Sequence, residues 1–387
     1  MAHLRFMTAG ESHGPCLIAL IEGMPSGLKL NIDTLNKDLA RRQSGYGRGG
    51  RMKIEHDTME ILSGVRFGET LGGPISIKVN NHDFANWTKK MAAFGEEYGE
   101  KVTAARPGHA DYAGIKKYAR DDIRDILERS SARETTMRVA AGAIAKSFLS
   151  QFGIEVVSHV INIGGVAVDM KKIDRNAIKA TDSELNCYDA EAETKMKERI
   201  DEAKAKGDTL GGIFEVIVKG VPIGLGSHVE WDRRLDAMLA SALMSIQAIK
   251  GVEVGDGFEA AVSFGSKAHD EMFYDEDGDV YRKTNHAGGI EGGMSNGEMI
   301  VLRAAMKPIP TLMTPLHSID ISSKKAVLAS KERSDVCAVP AASVVGEAMV
   351  ALVIADAMLD KFGGDSMIDI KNNVSAYLKR LEGVQNE

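Results

Sequence analysis

The chain has 387 residues, 44% of them hydrophobic and 27% charged, which supplies a large apolar core and excludes a disordered protein. Its net charge of −7 argues against a nucleic-acid-binding protein, and three widely spaced cysteines argue against a disulfide framework and suit a reducing cytoplasm. With no leader-like start and no apolar run judged long enough to cross a bilayer, the sequence predicts a cytoplasmic protein that does not bind membranes.

The chain opens with two strand-like segments that flank the motif GESHG at residues 10–14. HLRFMTA (3–9) precedes the motif, and PCLIALIEG (15–23) follows it. The motif also fits G-x-S-x-G of the α/β-hydrolases, but that nucleophile turn lies between a strand and a helix in a sheet already several strands wide. A loop at the end of a strand that holds His13 for acid–base chemistry fits better.

A basic, glycine-rich loop, RRQSGYGRGGRMK (41–53), follows a helix-like segment at 33–43. It contains five cationic residues and no acidic one, which in an acidic chain indicates a small anionic ligand; a solvated surface loop is the alternative. Gly45, Gly47 and Gly50 match G-x-G-x-x-G, but a dinucleotide site needs a strand before these glycines and a helix after them. The glycines better suit a loop that folds over an anion or a mobile lid.

A second histidine loop is RPGHADYAG at residues 106–114. Pro107 and Gly108 break any helix, so His109 is expected on a turn, with Arg106 and Asp111 beside it. A lone loop histidine is usually solvated, but two histidines in glycine-flanked loops favour acid–base chemistry.

The segment RSSARE (129–134) is expected at the start of a helix over residues 131–153, with Ser131 and Glu134 as a capping box. A capping box does not explain Arg129 and Arg133, because cations are disfavoured at a helix N-terminus unless an anion is bound there. The segment therefore predicts a phosphate or carboxylate site.

The rest of the pattern predicts one large α+β domain over residues 1–387, with 365–387 as a peripheral C-terminal tail. Asp232 is the expected N-cap of a helix over 231–251. The other predicted elements are a charged surface helix at 192–208, a long helix at 340–364 that ends at Gly363, strands at 155–168, 211–224 and 297–306, and a hairpin at 274–282.

Two further segments carry polar groups suited to a ligand. The proline-rich loop 306–315, which includes Lys307, is stiff enough to present backbone groups to a flat polar heterocycle. The segment 332–342 places Arg333 and Asp335 just before the predicted long helix. Since the chain has no H-E-x-x-H or C-x-x-C motif, we expect no protein-held metal.

Seven motifs together resemble the chorismate synthase family, occur in that family's order and extend from residue 5 to about residue 364. They are AGESHG, RPGHADY, RSSARET, VPIGLGSHVEWDRRLDA, GGIEGGMSNGE, KPIPTL and RSDVCAVPAA. One departure is visible: many members have RGGGRSSARE, whereas this chain has IRDILERSSARE. A helix-like approach thus replaces a glycine-rich one, which affects the expected local loop shape and not the expected reaction.

The resemblance implies a fold, a reaction and an assembly. The fold is an α+β, β-α-β sandwich of antiparallel sheets around long helices, usually in a homotetramer. The reaction is a lyase reaction, the 1,4-anti-elimination of phosphate and a C6 hydrogen from 5-enolpyruvylshikimate 3-phosphate to give chorismate. Reduced FMN is required without net redox change, and NADPH as a reductant of the flavin stays open.

The resemblance also implies roles for individual residues. His13 would protonate the departing phosphate, His109 would assist the reduced flavin by proton transfer, and Asp335 would lie near flavin N5 and take part in removing the C6 proton. The residues expected to bind FMN are Arg129, Ser130, Ser131, Gln247, Ala248, Gly292, Lys307, Pro308, Ile309, Pro310, Thr311 and Arg333. Those expected to bind substrate or NADP are Ser12, Arg42, Arg48, Arg51, Arg106 and Arg133.

Two other functional classes stay open at this point. One is a different flavin- or NADPH-dependent oxidoreductase, which would oxidise or reduce its substrate. The other is an anion-binding protein without catalytic activity, which would bind flavin and phosphate but turn nothing over.

Overall fold

The computed structural model of the protein describes residues 3–49, 56–180, 183–330 and 335–383. The helices in these ranges are α1 (Ile32–Gln43), α2 (Asp111–Tyr118), α3 (Arg124–Ser130), α4 (Thr135–Ser150), α5 (Ala190–Ala205), α6 (Leu235–Met244), α7 (Gly257–Val262), α8 (Gly265–Ala268), α9 (Val339–Phe362) and α10 (Met367–Gly383). The strands are β1 (Arg5–Ala9), β2 (Cys16–Glu22), β3 (Glu60–Ser63), β4 (Val65–Arg66), β5 (Glu69–Thr70), β6 (Ile75–Asn80), β7 (Glu155–Ile163), β8 (Val166–Ala167), β9 (Gly212–Lys219), β10 (Ile249–Val254), β11 (Met272–Tyr274), β12 (Val280–Arg282), β13 (Ile290–Glu291), β14 (Met294–Ser295), β15 (Ile300–Met306), β16 (His317–Ile319) and β17 (Ala326–Leu328).

Two antiparallel sheets form the outer layers of the fold. One has the strand order β1-β2-β6-β3, and the other has the order β10-β15-β9-β7-β8. In β2 every second side chain is buried, including Leu17 and Ile21, as expected for a strand with one face on the core. In β9 the buried side chains of Phe214 and Val216 belong to the same core.

Helices α4 and α9 form the layer between the sheets. Helix α4 packs on β2 and β6, helix α9 packs on β7 and β9, and the two helices pack on each other. Their contact is close at Gly142, where an added Cβ would lie 2.3 Å from the Cβ of Ala348. This arrangement of sheet, helices and sheet confirms the predicted α+β sandwich.

Helix α9 corrects the expectation that no apolar run of the chain is long enough to cross a bilayer. Its 24 residues, with a mean hydropathy of 1.9 in the most apolar window, are long and apolar enough to cross a membrane by composition alone. In the fold, 89% of that window is buried, because α9 is covered by α4 and by the sheet that contains β7. The predicted ends of this helix are confirmed to within two residues, with Gly363 as its C-cap.

The predicted helix over 131–153 is wrong at its start. Helix α3 ends at Ser130, the backbone of Ser131 is extended, and α4 begins only at Thr135. The Ser131 side chain accepts a hydrogen bond from the backbone N–H of Arg133. The predicted capping box is absent because the Glu134 carboxylate is hydrogen-bonded to other side chains, which are those of Thr8, Arg138 and Gln247.

The predicted helix over 231–251 is wrong at both ends. Asp232 lies in a short 3₁₀ turn and is not the N-cap, and α6 ends at Met244. Ala248 then adopts a left-handed backbone conformation with φ of 67°, which turns the chain into β10. Pairing of β10 with β15 outweighs the helical pattern of the sequence.

The other predicted elements are confirmed as α5, β7, β9, β15 and the hairpin of β11 and β12. The division into one domain and a peripheral tail stays a prediction. Residues 367–383 form α10, and the side chain of Ile370 is buried in the main core.

Candidate functional site

His13 lies in the loop between β1 and β2 and is held by Glu128 of α3. The backbone N–H of His13 donates to Glu128 Oε2 at 2.8 Å, and the ring Nδ1 lies 2.9 Å from Glu128 Oε1. A carboxylate only accepts hydrogen bonds, so Nδ1 carries the proton and Nε2 is the atom left for a ligand. The ring stacks on Trp87 with 4.0 Å between centroids.

His109 is held in the same way in the loop before α2. Its Nδ1 lies 2.5 Å from Asp111 Oδ1, and Asp111 is fully buried. Arg106 binds both oxygens of Asp111, at 2.8 and 2.9 Å. Arg106 Nη2 also lies 3.1 Å from His109 Nδ1, but both atoms are donors in this arrangement, so this contact is not a hydrogen bond.

The two supporting carboxyl groups are ionised. Burial alone would raise the pKa of Asp111, but the hydrogen bonds from Arg106 and His109 outweigh it and lower the pKa. The pKa of Glu128 is lowered in the same way, against burial, by His13 and Arg124. Each histidine therefore has a carboxylate on Nδ1 and directs Nε2 away from it.

A buried cluster of arginines lies next to the His13 loop. Arg42 near the end of α1 and Arg133 before α4 both bind Asp57, at 2.8 Å and at 2.6 and 2.7 Å. Arg133 Nε also donates to Asn81 Oδ1 at 3.0 Å, and Asn81 Nδ2 donates to the carbonyl of Gly14 at 2.8 Å. Asn81 thus connects the arginine cluster to the loop that carries His13.

The surroundings of Arg42 disfavour its charged form. Burial lowers the pKa of Arg42, and the nearby cations Arg133 and Arg48 lower it further. The attraction of Asp57 raises this pKa but does not offset the other effects. Burial would raise the pKa of Asp57, but Arg42 and Arg133 outweigh it and lower it. The guanidinium groups of Arg42 and Arg133 both bind Asp57, and a bound anion would further stabilise the buried charge of Arg42.

Ser12, which precedes His13, is buried. Its backbone N–H donates to the carbonyl oxygen of Glu128 at 3.1 Å. The same residue of α3 therefore fixes both Ser12 and His13.

Asp335 is held by the described part of the basic loop. Arg48 Nη1 lies 2.8 Å from Asp335 Oδ2, and the backbone N–H of Gly49 donates to Oδ1 at 2.6 Å. The backbone N–H of Val336 donates to the carbonyl of Gly47 at 2.9 Å. Closure of residues 41–53 as a lid stays a prediction, and the predicted site residues Arg51 and Arg333 lie outside the described residues.

An open cavity of about 410 Å³ lies beside β1, between α4 and the end of α6. Its lining includes the predicted residues Arg129 and Gln247. Arg129 Nη2 donates to the Thr8 carbonyl at 2.8 Å, and Gln247 Nε2 donates to Glu134 at 3.1 Å. The Oε1 atom of Gln247 is buried without a hydrogen-bond partner, so a ligand with a donor would satisfy it.

The serines of the RSSARE segment make local hydrogen bonds. Ser130 Oγ donates to the carbonyl of Ile126 at 2.9 Å, and Ser131 accepts from the backbone of Arg133. The prediction of an anion site at a helix N-terminus required a helix that starts at Ser131, whereas α4 starts at Thr135. Arg133 binds the carboxylate of Asp57, and Arg129 donates to backbone carbonyls.

The proline-rich loop connects the cavity region to the second histidine loop. Lys307 donates from its backbone N–H to the carbonyl of Ala248 at 2.9 Å and from Nζ to the carbonyl of Gly108 at 2.8 Å. Burial, together with the nearby Lys250, lowers the pKa of Lys307. The structure thus brings Ala248, Lys307 and His109 into one region.

The remaining predicted loop residues are placed as follows. Pro310 lies against Gly108, 3.5 Å from where a Cβ would be, and the carbonyl of Ile309 accepts from Thr209 at 2.7 Å. Pro308 lies between Lys307 and Ile309, and Thr311 is buried. Gly292 lies at the turn of the hairpin of β13 and β14, with φ of 57°.

Sequence reasoning missed three residues that organise the site. Asp57 follows the basic loop, Asn81 is the residue directly after β6, and Glu128 directly precedes the RSSARE segment. The signal for Glu128 was its position four residues after Arg124, which allows an ion pair along one face of a helix. Among the residues that the structure describes, no group of three or more His, Cys, Asp or Glu could hold a metal ion.

Comparisons with known proteins agree over nearly the whole chain. The profile of the chorismate synthase family matches residues 4–359. A chorismate synthase from Geobacter sulfurreducens is 57% identical, over 97% of this chain and 98% of the relative. One from Aquifex aeolicus is 54% identical, over 99% of each chain. A crystal structure of chorismate synthase is similar with a TM-score of 0.78 at 45% identity, over 97% of this chain and 98% of that one.

Proposed function

The chain belongs to the chorismate synthase family, and from that premise we propose that it converts 5-enolpyruvylshikimate 3-phosphate to chorismate. In this reaction the C–O bond to phosphate and the C6–H bond both break, and the ring gains a double bond. Phosphate leaves with the electron pair of the C–O bond, and the C6 hydrogen leaves as a proton. The reaction needs reduced FMN but has no net redox change.

The observation that carries the proposal is the pairing of two fixed histidines with a buried cationic cluster. His13 and His109 each have a carboxylate on Nδ1, and Arg42 and Arg133 lie next to the loop of His13. A phosphate that leaves needs a proton donor and a cationic environment, and this arrangement supplies both. We assign Ser12 no role as a nucleophile in this reaction.

The residues of the basic cluster would bind the substrate. Arginine binds phosphate and carboxylate groups with two parallel hydrogen bonds, and the substrate carries one phosphate and two carboxylates. Arg42, Arg48, Arg106 and Arg133 are proposed for these groups, together with Ser12 and, by resemblance, Arg51. His13, protonated on both ring nitrogens when substrate is bound, would donate its Nε2 proton to the oxygen of the departing phosphate and keep the Nδ1 proton that it shares with Glu128.

The cavity beside β1 and the proline-rich loop fit a flavin mononucleotide. The buried Oε1 atom of Gln247 lacks a donor, and Arg129 and Lys307 supply positive charge for a phosphate. When bound, reduced FMN supplies an electron-rich ring that assists the loss of phosphate. The residues proposed to hold it are Arg129, Ser130, Ser131, Gln247, Ala248, Gly292, Lys307, Pro308, Ile309, Pro310, Thr311 and Arg333.

Two further residues are proposed to move protons. His109 would exchange a proton at Nε2 on the side that faces the cofactor, with Asp111 stabilising the charged ring. Asp335 would take part in removing the C6 proton. Arg48 and the backbone N–H of Gly49 would hold its carboxylate in place for that step.

An anaerobic turnover assay on 5-enolpyruvylshikimate 3-phosphate tests the proposal. With chemically reduced FMN we expect chorismate and inorganic phosphate in equal amounts, with no flavin oxidised per turnover. Oxidised FMN should give no product. One flavin oxidised per turnover would establish an oxidoreductase instead, and flavin binding without product would leave an anion-binding protein.

The same assay with oxidised FMN and NADPH asks whether the protein reduces its own flavin. Product in that reaction would assign NADPH as the reductant, and its absence would require an external reductase.

The proposed assembly is a homotetramer in the cytoplasm, and sedimentation equilibrium of the purified protein tests the assembly.

A further inference from the structure

Four side chains form a closed ring of contacts behind His13. Glu128 binds the His13 ring, and Arg124 Nη1 donates to Glu128 Oε1 at 2.9 Å. The Arg124 guanidinium also lies over the Trp87 ring, 4.9 Å from its centroid, and Trp87 stacks on His13. Each member of this ring, which we call the His13 clamp, touches two others.

We infer that Glu128 is a positioning residue that fixes the His13 ring, with Nδ1 on its own carboxylate and Nε2 directed at the departing group. The inference rests on the proposed function, in which His13 protonates the phosphate. Glu128 itself does not touch the reacting atoms in this account, because it lies on the Nδ1 side of the ring.

The geometry of the clamp fixes the ring in three ways. The Glu128 carboxylate holds both the backbone N–H and Nδ1 of His13, so that the ring cannot rotate without breaking a hydrogen bond. Trp87 covers one face of the ring. The Glu128 side chain is only 2% exposed, so water does not compete effectively for its oxygens.

Two opposite charges of α3 lie on the Nδ1 side of His13. The Glu128 carboxylate binds the ring, and the Arg124 guanidinium, one helical turn earlier, binds the same carboxylate. Asp83 accepts a hydrogen bond from Trp87 Nε1, and Lys90 lies over the Trp87 ring. Removal of the anion and removal of the cation should therefore move the pH profile of turnover in opposite directions.

The test compares Glu128→Gln with Arg124→Gln. The first variant removes the anion and keeps the shape, so the alkaline limb of the kcat profile should move to lower pH. At neutral pH kcat should fall at least about tenfold, with KM changed by no more than a few-fold. The second variant removes the opposing cation, so the alkaline limb should move to higher pH.

Two controls separate positioning from folding. Asp125→Asn makes the same carboxylate-to-amide change on α3, where Asp125 pairs with Arg120 at the surface, and it should leave the profile unchanged. Glu128→Asp, which restores the charge, should recover part of the lost kcat. Thermal unfolding of every variant is measured alongside, and the Arg124→Gln result tests the inference if Glu128→Gln does not fold.

A readout without turnover distinguishes this inference from the proposed function. In ¹⁵N spectra of the substrate-free protein at neutral to alkaline pH, the His13 ring should be protonated at Nδ1 in the wild type and lose that preference in Glu128→Gln. Unchanged spectra and an unchanged pH profile would overturn the inference and leave the reaction intact. Changed spectra with an unchanged profile would overturn the role of His13 in the reaction, and with it the catalytic part of the inference.

Discussion

Two adjacent residues of α1, Arg41 and Arg42, enter two different buried charge clusters. Arg41 binds both oxygens of Glu347 on α9, at 2.7 and 2.8 Å, and also binds Asp38. Lys146 of α4 completes this cluster by binding Glu347 and Asp38. Arg42 points the other way, to Asp57, which it shares with Arg133.

The two clusters differ in whether the neighbouring charges outweigh burial at their arginine. Around Arg41 two cations face two anions, and although burial alone would lower the pKa of Arg41, Glu347 and Asp38 outweigh burial and raise it. Around Arg42 burial and the neighbouring Arg133 and Arg48 prevail over Asp57, and the pKa of Arg42 is lowered. We call the Arg41 cluster matched, because its carboxylates outweigh burial, and the Arg42 cluster unmatched, because Asp57 does not outweigh burial at Arg42. Loss of one partner from the first cluster would destabilise the fold, whereas an anionic ligand would stabilise the second. The comparison therefore assigns structure to one cluster and binding to the other.

The largest expected effect is on turnover, at the histidine next to the unmatched cluster. His13→Ala and His109→Ala should each lower kcat by about 10²–10⁴, since each removes a proposed proton-transfer group. The free energy of unfolding should fall by about 1–3 kcal/mol, because each substitution removes one hydrogen bond from a buried carboxylate, Glu128 or Asp111, which keeps its arginine. Steady-state kinetics and urea unfolding check this prediction. His3→Ala, which removes an exposed histidine near Asp360, is the matched control.

In the matched cluster the effect should appear in stability instead. Glu347→Gln removes the buried charge that Arg41 and Lys146 share and leaves Asp38 as their remaining carboxylate in this cluster, so we expect a loss of about 3–5 kcal/mol in the free energy of unfolding. At temperatures where the variant is folded, kcat should stay within a few-fold of the wild type. Urea unfolding and turnover of the same preparation measure both quantities. A large loss of kcat with little loss of stability would reverse the assignment of the two clusters.

The same substitution should change how stability depends on pH. Burial alone would raise the pKa of Glu347, but Lys146 and Arg41 lower it from its ordinary value of 4.5 to about 2. A carboxyl group whose pKa is lower in the folded state adds stability that is complete above its unfolded value and is lost as pH falls through its folded value. The stability difference between wild type and Glu347→Gln should therefore be constant from pH 7 to about 5 and shrink toward pH 2. Urea unfolding across this range measures the difference, and a constant difference down to pH 2 would contradict the prediction.

Exchange of each arginine for methionine compares the two clusters at adjacent positions. Arg42→Met should weaken substrate binding by about 10- to 100-fold, the typical value of a lost charge-assisted hydrogen bond. Its free energy of unfolding should fall by no more than about 1 kcal/mol, because Asp57 keeps Arg133. Arg41→Met should have the opposite pattern, with normal binding and a loss of about 1–3 kcal/mol in stability. Equal effects of both substitutions on binding would remove the distinction.

Sequence reasoning treated Arg41 and Arg42 as members of one basic run, and only the fold separates them. Consecutive residues of a helix point about 100° apart, so a helix between two clusters directs them to different partners. Those partners, Glu347 and Asp57, lie 306 and 15 residues away in the chain. The sequence around Arg41 and Arg42 does not reveal partners that lie elsewhere in the chain, although it correctly located the loop that carries the charges.

The histidine loops show the same limit. His109 and Asp111 are two residues apart, and the sequence placed them together. His13 and Glu128 are 115 residues apart, and Glu128 was missed. Helix α9 was predicted well because Pro340 and Gly363 mark its ends locally, whereas the end of α6 depends on the pairing of β10 with β15. Features set by neighbours in the chain were predictable, and features set by tertiary contacts were not.

The smallest expected effect concerns inorganic phosphate as a probe of the unmatched cluster. Because the pKa of Arg42 is lower in the folded state than in the unfolded chain, its charged form opposes folding at neutral pH, and a bound anion relieves that cost. Phosphate at a concentration equal to its dissociation constant adds about 0.4 kcal/mol of stability. We therefore expect a rise of about 1 °C in the Tm of the wild type and of Arg41→Met, and a smaller rise in Arg42→Met. The measurement is differential scanning calorimetry in phosphate and in a chloride buffer of equal ionic strength, so that general screening cancels. An equal rise in all three proteins would place the phosphate elsewhere and remove the evidence that Arg42 belongs to a binding cluster.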